Sequence, residues 1–527
     1  MVGTAQHNRP VLLQSLVTAS RDISATRSRT AKTRLLAAAL RVAEPDEVET
    51  VVSYLSGELR QRRIGVGWRS LQQLPPPADA PTLTVREAHE AFEEMAAVSG
   101  AGSQSGRSRL VADLFGRATA DEQRYLALLV MGELRQGALD GVMLAAVAEA
   151  SGVPDAVVRR AVMLRGAAGP VAAVALTEGA AGLERFRLRV GQPVRPMLAS
   201  SAADVDAALL KTGAEGQPVA VEWKVDGIRV QVHRDAERVW VFTRSLDEIT
   251  ARVPEIVEAV LALPAASVVL DGEAVALDGT GRARPFQETG SRTASSANVA
   301  DLRARVPLTT YFFDLLHLDG TDLLDLPAEQ RQQRLAALVP QPRRMPRVVT
   351  ADTATARTFF ADAVAAGHEG VVVKRLTDPY EAGRRGAGWV KVKPRHTLDL
   401  VVLAAEWGHG RRQGWLSNLH LGARGDTGDF VMLGKTFKGL TDAMLSWQTE
   451  RLLTLETGRD GHAVHVRPEL VVEVAFDGVQ HSPRYPAGMA LRFARVLRHR
   501  EDKTAAEADT VGTVRAIHTG DAPPTDV

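Results

Sequence analysis

The chain has 527 residues, 45% hydrophobic and 24% charged, a balance that excludes disordered and fibrous classes and predicts about three globular domains. No apolar run reaches the length of about 18 residues that a membrane span needs, and Met1 to Pro10 lacks a signal layout, so a cytoplasmic location is expected. With no cysteine, neither a disulfide framework nor a cysteine zinc site can form.

The net charge of +1 hides a local excess, because residues 1–35 carry Arg9, Arg21, Arg27, Arg29, Lys32 and Arg34 against Asp22 alone. Such a cluster fits either a polyanion-binding arm or a solvated helix face. From Leu12 to Leu183 the chain is rich in Ala, Leu and Arg, with apolar residues at helical spacing, as in Leu126, Leu129, Val130 and Leu134, and this predicts an all-helical domain over residues 1–192. Leu74 to Asp79 and Ser99 to Gly106 read as turns, and Pro193 to Pro196 as the exit linker. Past Pro196 short β-branched runs, among them Val219 to Trp223, Val239 to Phe242, Val268 to Leu270, Tyr311 to Phe313 and Val371 to Val373, alternate with helical stretches and predict an α+β domain over 193–395. Leu398 to Ala405, Leu419 to Leu421, Phe430 to Leu433 and Leu470 to Val474 predict a small β-rich domain over 396–508. Residues 509–527 read as a polar, disordered tail. No internal repeat is read from the chain.

Gly434-Lys435-Thr436 is not a phosphate-binding loop, because the glycine required five positions earlier is Asp429. The informative segment is Glu222-Trp-Lys224-Val-Asp-Gly-Ile-Arg229. It puts a lysine at the end of a β-run, with a second cation five residues on. A lysine is nucleophilic only as the free amine, and neighbouring cations with desolvation favour that form while neutralising a triphosphate. Attack on the α-phosphorus then gives a phosphoramidate. Read alone, the same residues could be a turn with a solvated lysine.

Downstream stand Thr243-Arg244-Ser245, Leu270-Asp-Gly-Glu273, Phe312-Phe-Asp-Leu-Leu316, Glu369-Gly-Val-Val-Val-Lys374, Trp389-Val-Lys-Val-Lys393 and Leu491-Arg-Phe-Ala-Arg495 running on to Arg500-Glu-Asp-Lys503. In this order and spacing the set resembles the collinear motifs of the covalent nucleotidyltransferases, and specifically the ATP-dependent DNA ligases of three-domain bacterial and archaeal form. The resemblance spans essentially the whole chain. It implies an all-α DNA-binding domain, an α+β nucleotidyltransferase domain (ATP-grasp-like adenylation) and a β-barrel OB-fold domain.

The same resemblance implies roles. Lys224 would accept AMP, Glu222 would meet the adenine amino edge, Arg229 and Arg244 would bind nucleotide or nick phosphates, and Arg385, with Arg384 as a competitor, would meet the nucleotide. Phe313 rather than Phe312 would stack on adenine, since adjacent strand residues face opposite ways. Glu273 would hold the ribose or a metal, and Glu369 would coordinate Mg²⁺. Lys391 and Lys393, alternating along a strand, would reach the α-phosphate. Lys374, Arg492, Arg495, Arg500 and Lys503 would add phosphate contacts. Ala494 departs from the pattern, since many relatives have proline there, which puts local stiffness in doubt and not the chemistry. Arg27, Arg29, Lys32 and Arg34 would touch DNA.

The implied activity is nick sealing in replication, repair or recombination, with ATP as the AMP donor, Mg²⁺, nicked duplex DNA as substrate, and a monomer associated with the nucleoid. The barrel would fold over the active site by a hinge near Lys393 to Asp399. An RNA ligase or capping guanylyltransferase shares the lysine core, but the long helical module argues for duplex DNA. An NAD-dependent ligase is disfavoured by the missing cysteines. A non-catalytic DNA-end scaffold is the reading from another class.

Overall fold

The computed structural model describes residues 10–61, 64–100, 102–134, 136, 140–212, 216–295, 298–381, 385–409 and 412–519. They form two compact units, neither contiguous in sequence. The first takes 1–199, 227–345 and 376–386, and the second takes 200–226, 346–375 and 387–527. A reading by consecutive segments has no way to express such interleaving.

The first unit begins with α-helices from Leu13–Ala25 to Ala168–Leu183. Thr84 with Glu87 and Thr119 with Glu122 form reciprocal capping boxes, which satisfy amide donors that a helix start otherwise leaves orphaned. One apolar core, including Leu16, Ile23, Leu36, Tyr54, Phe92, Leu126 and Leu129, joins these helices. The turn expected at Ser99 to Gly106 ends early, for Ser103 to Gly106 already belongs to the helix Ser103–Gly116. Gly-Glu-Leu-Arg-Gln stands at 57–61 and again at 132–136, each time just past a helix end, with Gly57 and Gly132 both at positive φ as a left-handed helix stop requires. The two copies approach at Gly57, where a Cβ would lie 2.9 Å from the Leu134 carbonyl oxygen, and the Gln136 side-chain amide donates to the carbonyl of Leu55 just ahead of the first copy. A five-residue identity over a spacing of seventy-five is too short to stand out until its copies meet in space.

The same unit holds a five-stranded antiparallel sheet, in spatial order Arg238–Thr243, Ile228–Asp235, Ser267–Ala276, Leu308–Leu318 and Thr321–Asp322. Its register sets Arg229 beside Glu273, and Glu273 beside Tyr311. Beneath it, Arg331 on the helix Ala328–Leu338 makes a two-pronged pair with Asp314, at 2.8 and 3.0 Å, both groups being buried.

His233 ties the end of the helical segment to this sheet. Its Nδ1 accepts the Gly191 amide at 3.0 Å and its Nε2 faces the Gln231 carbonyl oxygen at 2.9 Å, while Gln231 holds Val194 through both amide and carbonyl. Burial, reinforced by repulsion from His317, pushes the imidazole down to about 3. The folded state therefore takes this proton less readily than the unfolded chain, so the stabilisation is complete above about pH 6.5 and is lost as pH falls towards 3. Between pH 7 and pH 5 the first unit is expected to lose about 2 kcal/mol from this group. Thermal unfolding at the two pH values, for the wild type and His233→Gln, checks this; a variant with the same acid sensitivity would show that His233 is not its source.

The second unit contains another five-stranded sheet, ordered Leu198–Ser201, Arg385–Val392, Val371–Arg375, Val219–Trp223 and Arg347–Thr350. The helix Thr353–Ala365 packs on it through Ala356, Phe360 and Ala363. Beyond it lies a β-rich module in which the long strand His396–Trp407 is paired by Leu416–Arg424, Ala463–Val466 and Val471–Phe476. Irregular pairing at Val402/Ala404 and Glu406/Trp407 interrupts the ladder, and such bulges bend a strand. A separate ribbon pairs Gly478–His481 with Met489–Arg492. The expected tail differs from the structure, since Val511–Thr519 is a helix whose Val511 and Val514 join the core of this module. Val511 and Val514, with Ile517 packed beside them, dock this short helix. Residues 520–527 of that expected tail lie outside the described residues. No helix among the described residues is long and apolar enough to cross a membrane.

Candidate active site

Lys224 follows directly on the strand Val219–Trp223. Two reciprocal main-chain bonds hold it against the neighbouring loop, from the Lys224 amide to the Gly370 carbonyl at 2.7 Å and from the Glu369 amide to the Lys224 carbonyl at 2.9 Å. Gly370 has φ +124°, and a Cβ there would lie 2.2 Å from the Val392 carbonyl oxygen. Only glycine therefore allows this approach. The result is that Glu369 and Lys224, 145 residues apart, form a direct ion pair.

Lys393 reaches the same carboxylate at 2.9 Å and Asp477 at 3.3 Å. Arg492 pairs with Asp226 at 3.3 Å and approaches Glu369 at 3.8 Å. Three cations and three carboxylates thus interlock. Burial by itself would raise the Glu369 carboxyl, but Lys224 and Lys393 override it and hold the group down at about 2. Asp226 moves up, through burial and the nearby Glu369 charge. Lys393 is raised: burial works against its charge, and Glu369 and Asp477 prevail. Glu369 is consequently a firm anion and a poor proton acceptor. Asp226 and Asp477 were not among the expected site residues; a carboxylate two residues past the lysine was the available signal for the former, and none marked the latter.

On the strands of the same sheet, buried Glu222 pairs with Lys374 at 2.5 Å, and the Lys374 ammonium lies 4.0 Å from the centroid of the Trp389 ring. Lys391 sits in the sheet opposite Val372. Arg385 opens its strand, while its side chain, like all of Arg384, lies outside the described residues.

In the first unit, Arg229 meets Asp271 at 3.0 and 2.6 Å and donates to the Met197 carbonyl at 2.5 Å. The Tyr380 hydroxyl donates to the same Asp271 at 2.8 Å. Burial opposes the Arg229 charge, and Asp271 outweighs it and drives the guanidinium up. The guanidinium lies 5.3 Å from the centroid of Phe313. Phe312 is fully enclosed, and Phe313 is 8% exposed. Arg229, exposed Arg244 and Asp271 wall one small recess with Val194 and Pro196. Glu273 is half-buried next to Arg229 in the register.

The remaining expected residues lie elsewhere. Arg495 begins the strand Arg495–His499. Arg500 and Lys503 bond to Asp399, not to the Lys224 cluster. Ala494 is buried and its carbonyl accepts the Thr436 hydroxyl at 2.5 Å, an anchor that fixes the segment without a proline ring. In the basic arm, Arg29 and Lys32 donate to the backbone carbonyls of Gly141 and Gln136, and Arg27 and Arg34 are exposed. Among the described residues none of these four forms an ion pair, so their charge is not cancelled. No cluster of three acidic or histidine groups that could cage a metal occurs among the described residues.

Three family profiles match in chain order. One described as DNA ligase N terminus covers residues 69–148, one described as ATP dependent DNA ligase domain covers 196–393, and one described as ATP dependent DNA ligase C terminal region covers 412–503. A probable DNA ligase of a Nocardioides species is 61% identical over 97% of this chain and 99% of its own. Those of Beutenbergia cavernae and Streptomyces coelicolor are 60% and 57% identical, over 96% and 97% of this chain and 99% and 100% of their own. The solved structure Pmar-Lig_Pre. aligns with 92% of this chain and 99% of its own at TM-score 0.59 and 17% identity, a likeness of fold.

Proposed function

Because the chain belongs to the ATP-dependent DNA ligase family, whose members join DNA strands at the expense of ATP, we propose that Lys224 is its AMP acceptor. The observation that carries this is the ion-paired position of Lys224 at a strand end, beside Lys393 and Arg492. Attack requires the free amine, so the Lys224 Nζ gives up its proton before it bonds to phosphorus. Its Nζ bonds to the α-phosphorus of ATP, the bond to the β-phosphate oxygen breaks, and pyrophosphate leaves. A 5′-phosphate oxygen of the nick then takes AMP from the lysine. Finally the 3′-hydroxyl attacks the activated phosphorus and AMP departs.

In this reading Glu222 meets the adenine amino edge once Lys374 yields it, and Phe313 supplies a face for the base. Arg229, Arg244, Arg385 and Lys391 bind the nucleotide, and Lys374, Lys393, Arg492, Arg495, Arg500 and Lys503 contact phosphates. Glu273 holds the ribose or a metal. The ionised oxygens of Glu369 suit Mg²⁺, which takes few protein carboxylates and shares them with substrate phosphates. When bound, the ion neutralises phosphate charge. The β-rich module acts as an OB-fold, supported by a strand order in which a helix, Asp442–Thr454, separates Phe430–Thr436 from Glu456–Asp460. Acting on DNA, the enzyme works on the chromosome in the cytoplasm. Relatives matching over nearly their full length are DNA ligases, and this disfavours the RNA ligase, capping and scaffold readings.

The test is transfer of label from α-labelled ATP to the chain, mapped to its residue by mass spectrometry. Label on any lysine other than 224 overturns the assignment.

A separate expectation concerns the arm. If Arg27, Arg29, Lys32 and Arg34 neutralise DNA phosphates, nick affinity falls steeply with salt, at a log-log slope of about 0.9 per phosphate contacted. Replacing all four with alanine is expected to flatten that slope by up to about 3.6 on the same scale. Nick binding across a salt series measures it, and an unchanged slope removes the arm from the DNA surface.

A further inference from the structure

Arg500 and Lys503 are long, flexible and alike in charge, and left to themselves they would repel and scatter. One carboxylate prevents this. Asp399 accepts Arg500 Nη1 on both oxygens, at 3.0 and 2.9 Å, and Lys503 Nζ at 2.6 Å. Its side chain is only 11% exposed, so these bonds are shielded from water.

The carboxylate is itself fixed. The Asp399 amide donates to the Asp509 carboxylate at 2.8 Å and the Asp399 carbonyl accepts the Asp509 amide at 2.8 Å. The loop from Arg500 to Asp509 is thus fastened at both ends to one residue of the strand His396–Trp407. The other edge of Arg500, its Nε and Nη2, is covered by Asp502 at 2.9 and 2.7 Å. That second carboxylate is 63% exposed and readily displaced, since an exposed pair is weakly held. Arg500 and Lys503 also border an open cavity of about 560 Å³, shared with Trp447, Arg451 and Thr504. A two-pronged anion such as a phosphate fits the guanidinium edge that Asp502 covers.

We propose that Asp399 is a positioning residue for self-adenylylation, clamping Arg500 and Lys503 so that the Arg500 edge covered by the displaceable Asp502 carboxylate is presented to the departing pyrophosphate. The proposal rests on the reading that these two cations contact phosphates, narrows it to those of the leaving group, and adds the residue that makes them act together.

The test uses the full-length chain, with single-turnover labelling by α-labelled ATP and, separately, sealing of a nick already carrying AMP. Asp399→Ala is expected to slow labelling at saturating ATP about tenfold or more, while sealing of the adenylylated nick stays within about twofold. Asp399→Glu, which keeps the charge, is expected to recover most of the rate. Because the two residues act as one unit, Asp399→Ala with Arg500→Ala is expected to be no slower than Arg500→Ala alone. Wild-type labelling by Asp399→Ala, beside a slowed Arg500→Ala, overturns the proposal and spares the reading beneath it. Wild-type labelling by Arg500→Ala overturns both. Equal loss of labelling and sealing in a folded Asp399→Ala also overturns the proposal. Should Asp399→Ala unfold, Asp399→Asn carries the same comparison.

Discussion

Replacing Lys224 with alanine is expected to leave a folded chain that takes no label from α-labelled ATP and seals no nick that lacks AMP. The fold should survive, because the side chain is 25% exposed and the main-chain bonds to Glu369 and Gly370 do not depend on it. Glu369 loses one cation but keeps Lys393, with Arg492 close by. The activity should vanish because no other group can form the phosphoramidate, and loss of a covalent nucleophile commonly costs several orders of magnitude. Sealing of a nick that already carries AMP bypasses Lys224 as nucleophile and is expected to persist in part. Labelling followed by denaturing electrophoresis reads the first outcome, and a substrate with AMP pre-installed reads the second. A variant that still labels at the wild-type rate would mean that the nucleophile has been misassigned.

The second large effect is structural and functional at once. Asp271 is 1% exposed and takes both prongs of Arg229 and the hydroxyl of Tyr380. Asp271→Ala would leave a buried guanidinium without its anion, and breaking such a pair by removing one partner typically costs about 3–5 kcal/mol. The first unit is expected to melt earlier by that amount, and labelling by ATP to weaken because Arg229 loses its fixed direction beside Phe313. Replacing both partners by apolar residues, Arg229→Met with Asp271→Leu, is expected to regain stability without regaining ATP affinity. Calorimetric melting with labelling at several ATP concentrations separates the two effects. Asp271→Ala melting within about 1 kcal/mol of wild type would show that the pair is not the anchor described.

The chemistry-bearing segments were legible in the sequence because each concentrates unusual residues in a few positions. Lys224 stands in Lys-x-Asp-Gly, and Glu369 introduces a β-branched run that ends in Lys374. What could not be read was partnership. The Lys224 ammonium meets a carboxylate 145 residues away, and Asp271 meets Tyr380 across 109. Nothing local in Tyr380 or Asp477 distinguishes them from solvated residues; only sheet register and loop closure bring them in. The helical character of the first part followed from periodicity, whereas the helix Val511–Thr519 did not, since it depends on Val511, Val514 and Ile517 finding an apolar surface built elsewhere.

The short ribbon formed by Gly478–His481 and Met489–Arg492 brings Asp477 and Arg492 together, the Asp477 amide donating to the Arg492 carbonyl at 3.0 Å. Side by side, they offer one negative and one positive tip, and their counterparts, Lys393 and Asp226, carry the opposite signs in matching order. Such an arrangement is polarised in the manner of a two-pin plug. Reversed end for end, it would set aspartate on aspartate and arginine on lysine, and like charges brought together across a contact are costly. The ribbon therefore encodes an orientation as well as an attachment, and any swinging of the module it belongs to has one seating at which the charges agree.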